Sequence, residues 1–234
     1  MKRTIFVNLL LLAIVSLNAQ TLEEIVSKNY EISSMEAYKN ATTVQITAKA
    51  FQGGMEIPMV ISIKNPDKVR IEMSLQGMSI IQAYDGVKGY MVNPMMGSND
   101  VVELPPADAA NLKNQASFAT DLTEYLKDNK LEMAGESTVD GKPAWKIKAV
   151  MPGGEIITLF IDKSSYLQIK SEMSVVQMGM EMEVETYLSD YTDFNGLKLP
   201  KTTTTYANGT EMAMMMIEKV ELNIPMDDNI FKLK

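Results

Sequence analysis

The spacing of apolar residues changes along the chain, and each change predicts a different kind of element. Leu22, Ile25 and Val26 recur at helical spacing near the start. Thr21 precedes them and is followed three residues later by Glu24, which is the pattern of a capping box. We therefore predict a short amphipathic helix over residues 21 to about 34.

Beyond residue 42 the apolar residues alternate with polar ones, which predicts β-strands. Val44, Ile46 and Ala48 begin this pattern, and turn dipeptides such as Asp85-Gly86 separate the runs that follow. Short loops with such dipeptides are typical of antiparallel hairpins. The pattern therefore indicates a meander of antiparallel strands.

The alternation stops after Pro105-Pro106 and resumes beyond about Lys127. Spaced alanine and leucine residues predict helix there, as one long segment or two short ones. A second meander follows. The whole pattern predicts a mainly β chain of about eleven strands, covered by two or three helices that act as a lid. No linker or repeat divides residues 21–234, so we expect a single domain.

Methionine occurs at every second position in two of the predicted strands. Because successive side chains of a strand lie on opposite faces, each run forms a stripe on one side of the sheet. Methionine is adaptable, and a well-specified core uses it sparingly, yet this chain has 20. We predict that the two runs, with two further strand methionines, line a site for an apolar ligand. The predicted lining residues are Met73, Met91, Met178, Met180, Met182, Met212, Met214 and Met216.

Two alternatives apply to the methionine stripes. They can be ordinary core positions, or they can coordinate Cu(I) through their thioethers. The second is disfavoured because neighbours on one face of a strand lie ~6.6 Å apart. The alternation also breaks near Glu218, where Ile217 stays apolar, and this predicts a β-bulge beyond Met216.

Residues 1–20 have the form of a secretory signal peptide, with Lys2 and Arg3 before an apolar run and expected cleavage near residues 19–20. We therefore expect the mature chain in the periplasm. Loss of the two basic residues changes the formal net charge from −8 to −10. Such a chain repels nucleic acid and anionic membrane surfaces, so we predict no nucleic-acid partner.

The chain contains no cysteine and no histidine. This removes thiol nucleophiles, zinc-thiolate sites and the usual general base near neutral pH. We therefore predict no enzymatic activity, no catalytic residue, no metal and no cofactor. Glu181, Glu183 and Glu185 alternate with the methionines and are expected to face solvent, with a calcium site or a charged dock for a partner as alternatives. Trp145 is expected in the core.

Several segments resemble the LolA-like periplasmic lipoprotein carriers, which belong to the outer membrane lipoprotein-sorting family. The first runs from Ile63 through Pro66 to Glu72 and continues with the turn at residues 85–86 and the strand Tyr90–Pro94. The distal part, from Asp190 to Phe231, resembles the ending of related sorting proteins. Their order and spacing cover nearly the whole mature chain.

The resemblance implies an open, strongly curved antiparallel sheet, an unclosed β-barrel whose hollow is lidded by helices. It implies a monomeric carrier that holds acyl chains of a lipoprotein or lipid in the hollow and moves them toward the outer membrane. An inner-membrane release complex and an outer-membrane acceptor would be its partners. A sensing module of the same fold and a structural envelope protein that binds no ligand remain alternative functions.

The resemblance also bears on how the lid is connected to the sheet. Arg70 matches a common family position in the strand after the turn and is a candidate latch between lid and sheet. Its alternative is an outward arginine that pairs with a neighbouring acid. Some carriers have an arginine just before the turn proline that ties the lid to the sheet; this chain has Asn65 there and departs from that pattern.

Overall fold

The computed structural model describes residues 20–115, 121–177 and 179–233. The predicted signal peptide, except Gln20, and Met178 therefore lie outside the described residues. The helices are α1 (Leu22–Ile32), α2 (Met35–Asn40), α3 (Pro106–Gln115) and α4 (Leu122–Lys127). The strands are β1 (Thr43–Gln52), β2 (Met55–Lys64), β3 (Lys68–Leu75), β4 (Met78–Tyr84), β5 (Gly89–Val92), β6 (Val102–Glu103), β7 (Leu131–Val139), β8 (Lys142–Val150), β9 (Ile156–Asp162), β10 (Gln168–Gln177), β11 (Met180–Ser189), β12 (Thr192–Phe194), β13 (Leu197–Leu199), β14 (Thr202–Ala207) and β15 (Thr210–Leu222).

Thirteen of the strands form one antiparallel sheet, in the order β6-β5-β4-β3-β2-β1-β15-β14-β11-β10-β9-β8-β7. Strands β12 and β13 form a separate hairpin. The two outer strands, β6 and β7, do not pair with each other, so the sheet is open, as predicted for an unclosed barrel. The prediction of about eleven strands was low because strands of two or three residues, such as β6 and β12, are too short to show alternation.

The strand register defines two faces of the sheet. Val44, Ile46 and Ala48 of β1 are buried in the main core cluster. Directly opposed residues of antiparallel strands place their side chains on the same face, so the face can be followed from strand to strand. We call the face that carries these three residues the inner face and the opposite one the outer face.

The helices cover the inner face. Ile25 of α1 and Leu122 of α4 pack with Trp145 and Ile147 of β8 in a second core cluster. Helix α1 begins with the predicted capping box, in which the Thr21 hydroxyl accepts a hydrogen bond from the backbone N–H of the residue three positions later. No described helix is both long and apolar enough to span a membrane.

Helix α3 approaches the sheet closely because both contact surfaces are small. Leu112 joins the main core cluster, and Ala109 faces Gly89 of β5. A Cβ atom at Gly89 would lie 2.7 Å from the Ala109 Cβ, which is closer than two carbon atoms can pack. The alanine-rich stripe of α3 therefore reflects a tight fit rather than a weak helix.

Candidate apolar ligand site

A cavity of about 550 Å³ lies between the inner face and the helices. Val69 of β3 and Met173 of β10 line it, together with Tyr38 of α2 and Tyr125 of α4. The strands β3 and β10 are six positions apart in the sheet order, which in a flat sheet would separate them by ~29 Å. Since both line one cavity, the sheet curls around it. The volume is within the range of small-molecule sites.

Polar groups surround the apolar part of this cavity. They come from the β2–β3 turn, from α3 and from the β8–β9 turn. Burial raises the pKa of the Tyr38 hydroxyl, so this group stays neutral at physiological pH. The ammonium group of Lys113 lies 5.9 Å from the centre of the Tyr84 ring. The arrangement suits a ligand with an apolar body and a polar end. The polar residues are Asn65, Asp67, Lys68, Asn111, Lys113, Asn114 and Glu155.

The apolar inner face extends beyond the cavity in both directions. Met173 opposes Val184 of β11. Two residues further along β10, Val175 opposes Met182 on the same face. On the other side, Met73 follows Val69 on the same face of β3. These extensions are half-buried rather than packed under the helices. They comprise Ile57, Met59, Met73, Leu75, Met78, Ile80, Met91, Val175, Met182, Val184 and Met215.

No protein-family model and no curated protein matches the sequence. Solved structures are similar in fold. A putative outer membrane lipoprotein-sorting protein domain from Vibrio parahaemolyticus superposes with a TM-score of 0.57 at 10% identity, covering 88% of this chain and 97% of that one. A LolA superfamily protein from Nitrosomonas europaea superposes with a TM-score of 0.58 at 11% identity, covering 92% and 99%. This chain has the LolA-like fold.

A third structure widens the range of proteins with this LolA-like fold. A DUF1329 family protein from Desulfovibrio piger superposes with a TM-score of 0.58 at 11% identity, covering 88% of this chain and 97% of that one. At such identities the likeness concerns the fold alone. The site must therefore be judged from the residues of this chain.

Three of the predicted lining methionines lie half-buried on the inner face of the LolA-like sheet: Met73, Met91 and Met182. The Met91 sulfur lies 4.0 Å from the side-chain nitrogen of Gln82, its direct cross-strand partner. Met180 is on the same face, but at the end of β11 it is 70% exposed. Contact of these residues with a ligand stays a prediction.

The second methionine run lies differently from its expected position. Met214 opposes Phe51 and Met216 opposes Lys49, and both pairs lie on the outer face. The predicted bulge is confirmed, because Ile217 and Val220 both reach the inner face although they lie three positions apart in the strand.

The bulge explains why the second run does not line the hollow. Glu218 is the extra residue, and because of it Met214 and Met216, which precede it in β15, lie on the outer face. Met215 takes the inner face instead and packs against the core. A second register shift, beside Met212, leaves that side chain 48% exposed at the end of β15.

Arg70 does not connect the lid to the sheet. It lies on the outer face, where its guanidinium group binds Glu72 at 2.8 Å and the carbonyl oxygen of Ile230 at 3.0 Å. Hydrogen bonding to Arg70 lowers the pKa of the Glu72 carboxyl. Arg70 lies on the outer face because side chains alternate along a strand, and its neighbours Val69 and Ile71 are buried on the inner face.

Asn65 provides a connection between the helices and the sheet in this LolA-like chain. Its side-chain nitrogen donates a hydrogen bond of 2.6 Å to the carbonyl oxygen of Ala41, directly after α2. Its backbone N–H donates to the carbonyl oxygen of Thr42. The amide thereby joins the β2–β3 turn, at the edge of the cavity, to the end of a covering helix.

Trp145 and the glutamates of β11 lie on the faces that the sequence predicted for them. Trp145 is buried in the core, 7% exposed, and its ring lies 5.3 Å from that of Tyr166. Glu181 and Glu183 lie exposed on the outer face. Glu185 is on the same face but half-buried, because it binds Lys170.

Sequence reasoning missed several inner-face methionines. Met59, Met173 and Met215 are half-buried beside the cavity or its extensions. A signal existed for Met59, which alternates with Ile57 and Ile61 in the same strand. For Met215 the signal was hidden, because Met214 and Met216 on either side are also apolar, so apolar and polar residues do not alternate there.

Proposed function

We propose that the protein binds acyl chains of a lipoprotein or lipid, without covalent chemistry, in the hollow between its curled sheet and its helices. The observation that carries this proposal is a cavity of about 550 Å³ that continues into a half-buried, methionine-rich inner face. Each buried methylene contributes ~0.8 kcal/mol, so a chain of roughly fifteen would contribute about 12 kcal/mol before ordering costs. The residues proposed to contact it are Met59, Met73, Met91, Met173, Met182 and Met215.

We further propose that the protein is an exported carrier that moves this cargo toward the outer membrane. The signal-peptide pattern of residues 1–20 supports export. The similar structures described as a LolA superfamily protein and as a lipoprotein-sorting domain support carriage. A flexible methionine lining supports release, because it accepts chains of different shape without one tight packing arrangement.

Two measurements test the proposal. Organic extracts of the purified protein, analysed by mass spectrometry, should contain acyl lipids or lipopeptides, and a fluorescent fatty acid should bind saturably. Labelled lipopeptide should then move from donor to acceptor vesicles faster when the protein is present. Absence of binding would support a structural role instead, and binding without transfer would support a sensing module.

A further inference from the structure

The methionines of the turns are found at one end of the sheet. In a meander, successive turns alternate between the two ends, so the turns after β1, β3, β8, β10 and β14 share one end, as does the connection after β5. We call it the methionine end. The turns at the opposite end, after β2, β4, β7 and β9, contain no methionine, although the segment after β15 at that end contains Met226. Methionines in or beside the turns of the methionine end are Met55, Met78, Met95, Met96, Met151, Met180 and Met212.

Exposed apolar side chains follow the same division. Eight of the ten large apolar side chains that are exposed in the described part of the chain lie at the methionine end. Met96 is 74% exposed and Met180 is 70% exposed. Single exposed apolar residues are ordinary, but their concentration on one surface marks an interaction site. The eight are Met55, Met95, Met96, Val150, Ile156, Val176, Met180 and Met212.

The turns of the methionine end are acidic. Glu56, Glu155, Glu181 and Glu211 stand directly beside the turns of the methionine end, and these turns contain no lysine or arginine. Three basic residues lie near these turns. Lys49 binds Glu56 at 2.9 Å and a second glutamate. Lys130, whose carbonyl oxygen accepts a hydrogen bond from the N–H of Val150, pairs with Asp128 at 2.8 Å, and Lys148 lies exposed two residues before Val150. An anionic membrane surface is repelled by such a rim, whereas a cationic partner is attracted.

We propose that the methionine end binds a cationic amphipathic helix of a partner protein. Methionine-rich surfaces adapt to the apolar face of such helices, and the glutamates would pair with its basic residues. From Met55 on β2 to Met180 on β11 the sheet advances four strand positions, or ~19 Å. At ~1.5 Å per residue, a helix of about 13 residues covers this distance.

The test uses the mature chain and a fluorescent peptide of about 14 leucine and lysine residues arranged as an amphipathic helix. Fluorescence anisotropy measures its binding. The variant Met55→Ser/Met180→Ser/Met212→Ser changes side chains that are 43%, 70% and 48% exposed, so the fold should persist. We expect about tenfold weaker binding. The matched control is Val87→Ser, at a side chain 80% exposed at the opposite end, which should bind as the unchanged protein does.

Further arms separate this site from attraction by charge alone and from binding in the hollow. The variant Glu56→Gln/Glu181→Gln/Glu211→Gln should weaken binding and reduce its dependence on salt. Equal binding of a peptide with serine in place of leucine would overturn the proposal, because charge alone would then suffice. Equal binding by the methionine variant would do the same. So would displacement of the peptide by a fatty acid, which would place it in the hollow.

Membranes provide the last comparison. Vesicles of phosphatidylcholine, alone or mixed with phosphatidylglycerol, should not retain the protein in a flotation assay. Retention that depends on Met55, Met180 and Met212 would overturn the proposal and assign this end to a lipid surface. Acyl binding, measured separately on Glu56→Gln/Glu181→Gln/Glu211→Gln, which changes no residue assigned to the hollow, should be unchanged, so failure of this inference and failure of the proposed function are distinguishable.

Discussion

The guanidinium group of Arg70 donates a hydrogen bond to the carbonyl oxygen of Ile230 across 3.0 Å. The contact joins β3 to the C-terminal turn Asp228–Phe231, whose last residue is fully buried. A charged donor to a partly buried carbonyl is among the stronger hydrogen bonds in proteins. Residues 228–231 are therefore part of the folded domain, held on the face opposite the hollow.

We predict that Arg70→Ala lowers the free energy of unfolding by about 2 kcal/mol and leaves acyl binding unchanged. Urea denaturation and fatty-acid titration measure the two effects. Lys219→Ala is the control, because its ion pair with Glu221 is exposed and should contribute less than ~1 kcal/mol. A change in acyl affinity without a change in stability would contradict this role and favour a latch.

The ion pairs of Asp228 predict a pH dependence of stability. Its carboxylate binds Lys64 at 2.5 Å and Lys68 at 2.7 Å, and these bonds lower its pKa from 3.8 to about 2. A lowered pKa stabilises the fold at pH values above 3.8, and this contribution is lost as the pH falls toward about 2. The Tm difference between the unchanged protein and Asp228→Asn should therefore be constant near neutral pH and vanish near pH 2. A constant difference throughout would contradict the assignment.

The close approach of Gly89 and Ala109 predicts that Gly89→Ala displaces α3. The added Cβ would lie 2.7 Å from the Ala109 Cβ and 3.0 Å from its Cα, so either the helix or the strand must shift. We expect a loss of about 1–3 kcal/mol in the free energy of unfolding. The double variant Gly89→Ala/Ala109→Gly should recover part of it, since the closer of the two clashing atoms is then removed. No recovery would show that the strain lies elsewhere.

The sequence predicted the fold because most of its strands alternate cleanly and its turns are chemically distinct. Residues such as Val44 and Ile46 reveal the inner face directly. The face on which a residue lies could not be predicted where the strand register shifts. The bulge at Glu218 could be predicted from the apolar Ile217, but its effect on Met214 and Met216 depends on counting from Val220.

The site was less accessible to sequence reasoning because it joins distant strands. Val69 and Met173 line the same cavity only because the sheet curls, and curvature has no local pattern in the sequence. The position of Arg70 depends in the same way on a C-terminal turn that packs against the outer face. Short-range patterns identify which residues share a face, whereas the contacts across the hollow require the whole sheet.

A buried cluster on the outer face predicts a compensating set of variants. Lys170, 8% exposed, binds Glu172 at 2.7 Å and also Glu185, and the two glutamates oppose each other across β10 and β11. Burial alone would lower the pKa of Lys170, but these hydrogen bonds raise it. Lys170→Met should lower the free energy of unfolding by about 3 kcal/mol, because two opposed carboxylates lose their shared cation.

Calorimetry or urea denaturation checks this effect. Adding Glu172→Gln and Glu185→Gln to the lysine variant should restore most of the stability, because the uncompensated charges are gone. A single variant as stable as the unchanged protein would show that the cluster is not coupled.

The two faces of the sheet provide a matched test of the ligand site. Met73 is half-buried on the inner face, and Met214 is half-buried on the outer face. Met73→Glu should weaken binding of a fluorescent fatty acid by about tenfold or more, because a carboxylate in an apolar site is strongly disfavoured. Met214→Glu introduces the same group outside the hollow and should leave affinity unchanged. At a pH low enough to protonate the new glutamate, Met73→Glu should regain affinity, and cooperative unfolding of both variants serves as the control for folding. Equal affinities of the two variants would show that the inner face does not hold the acyl chain.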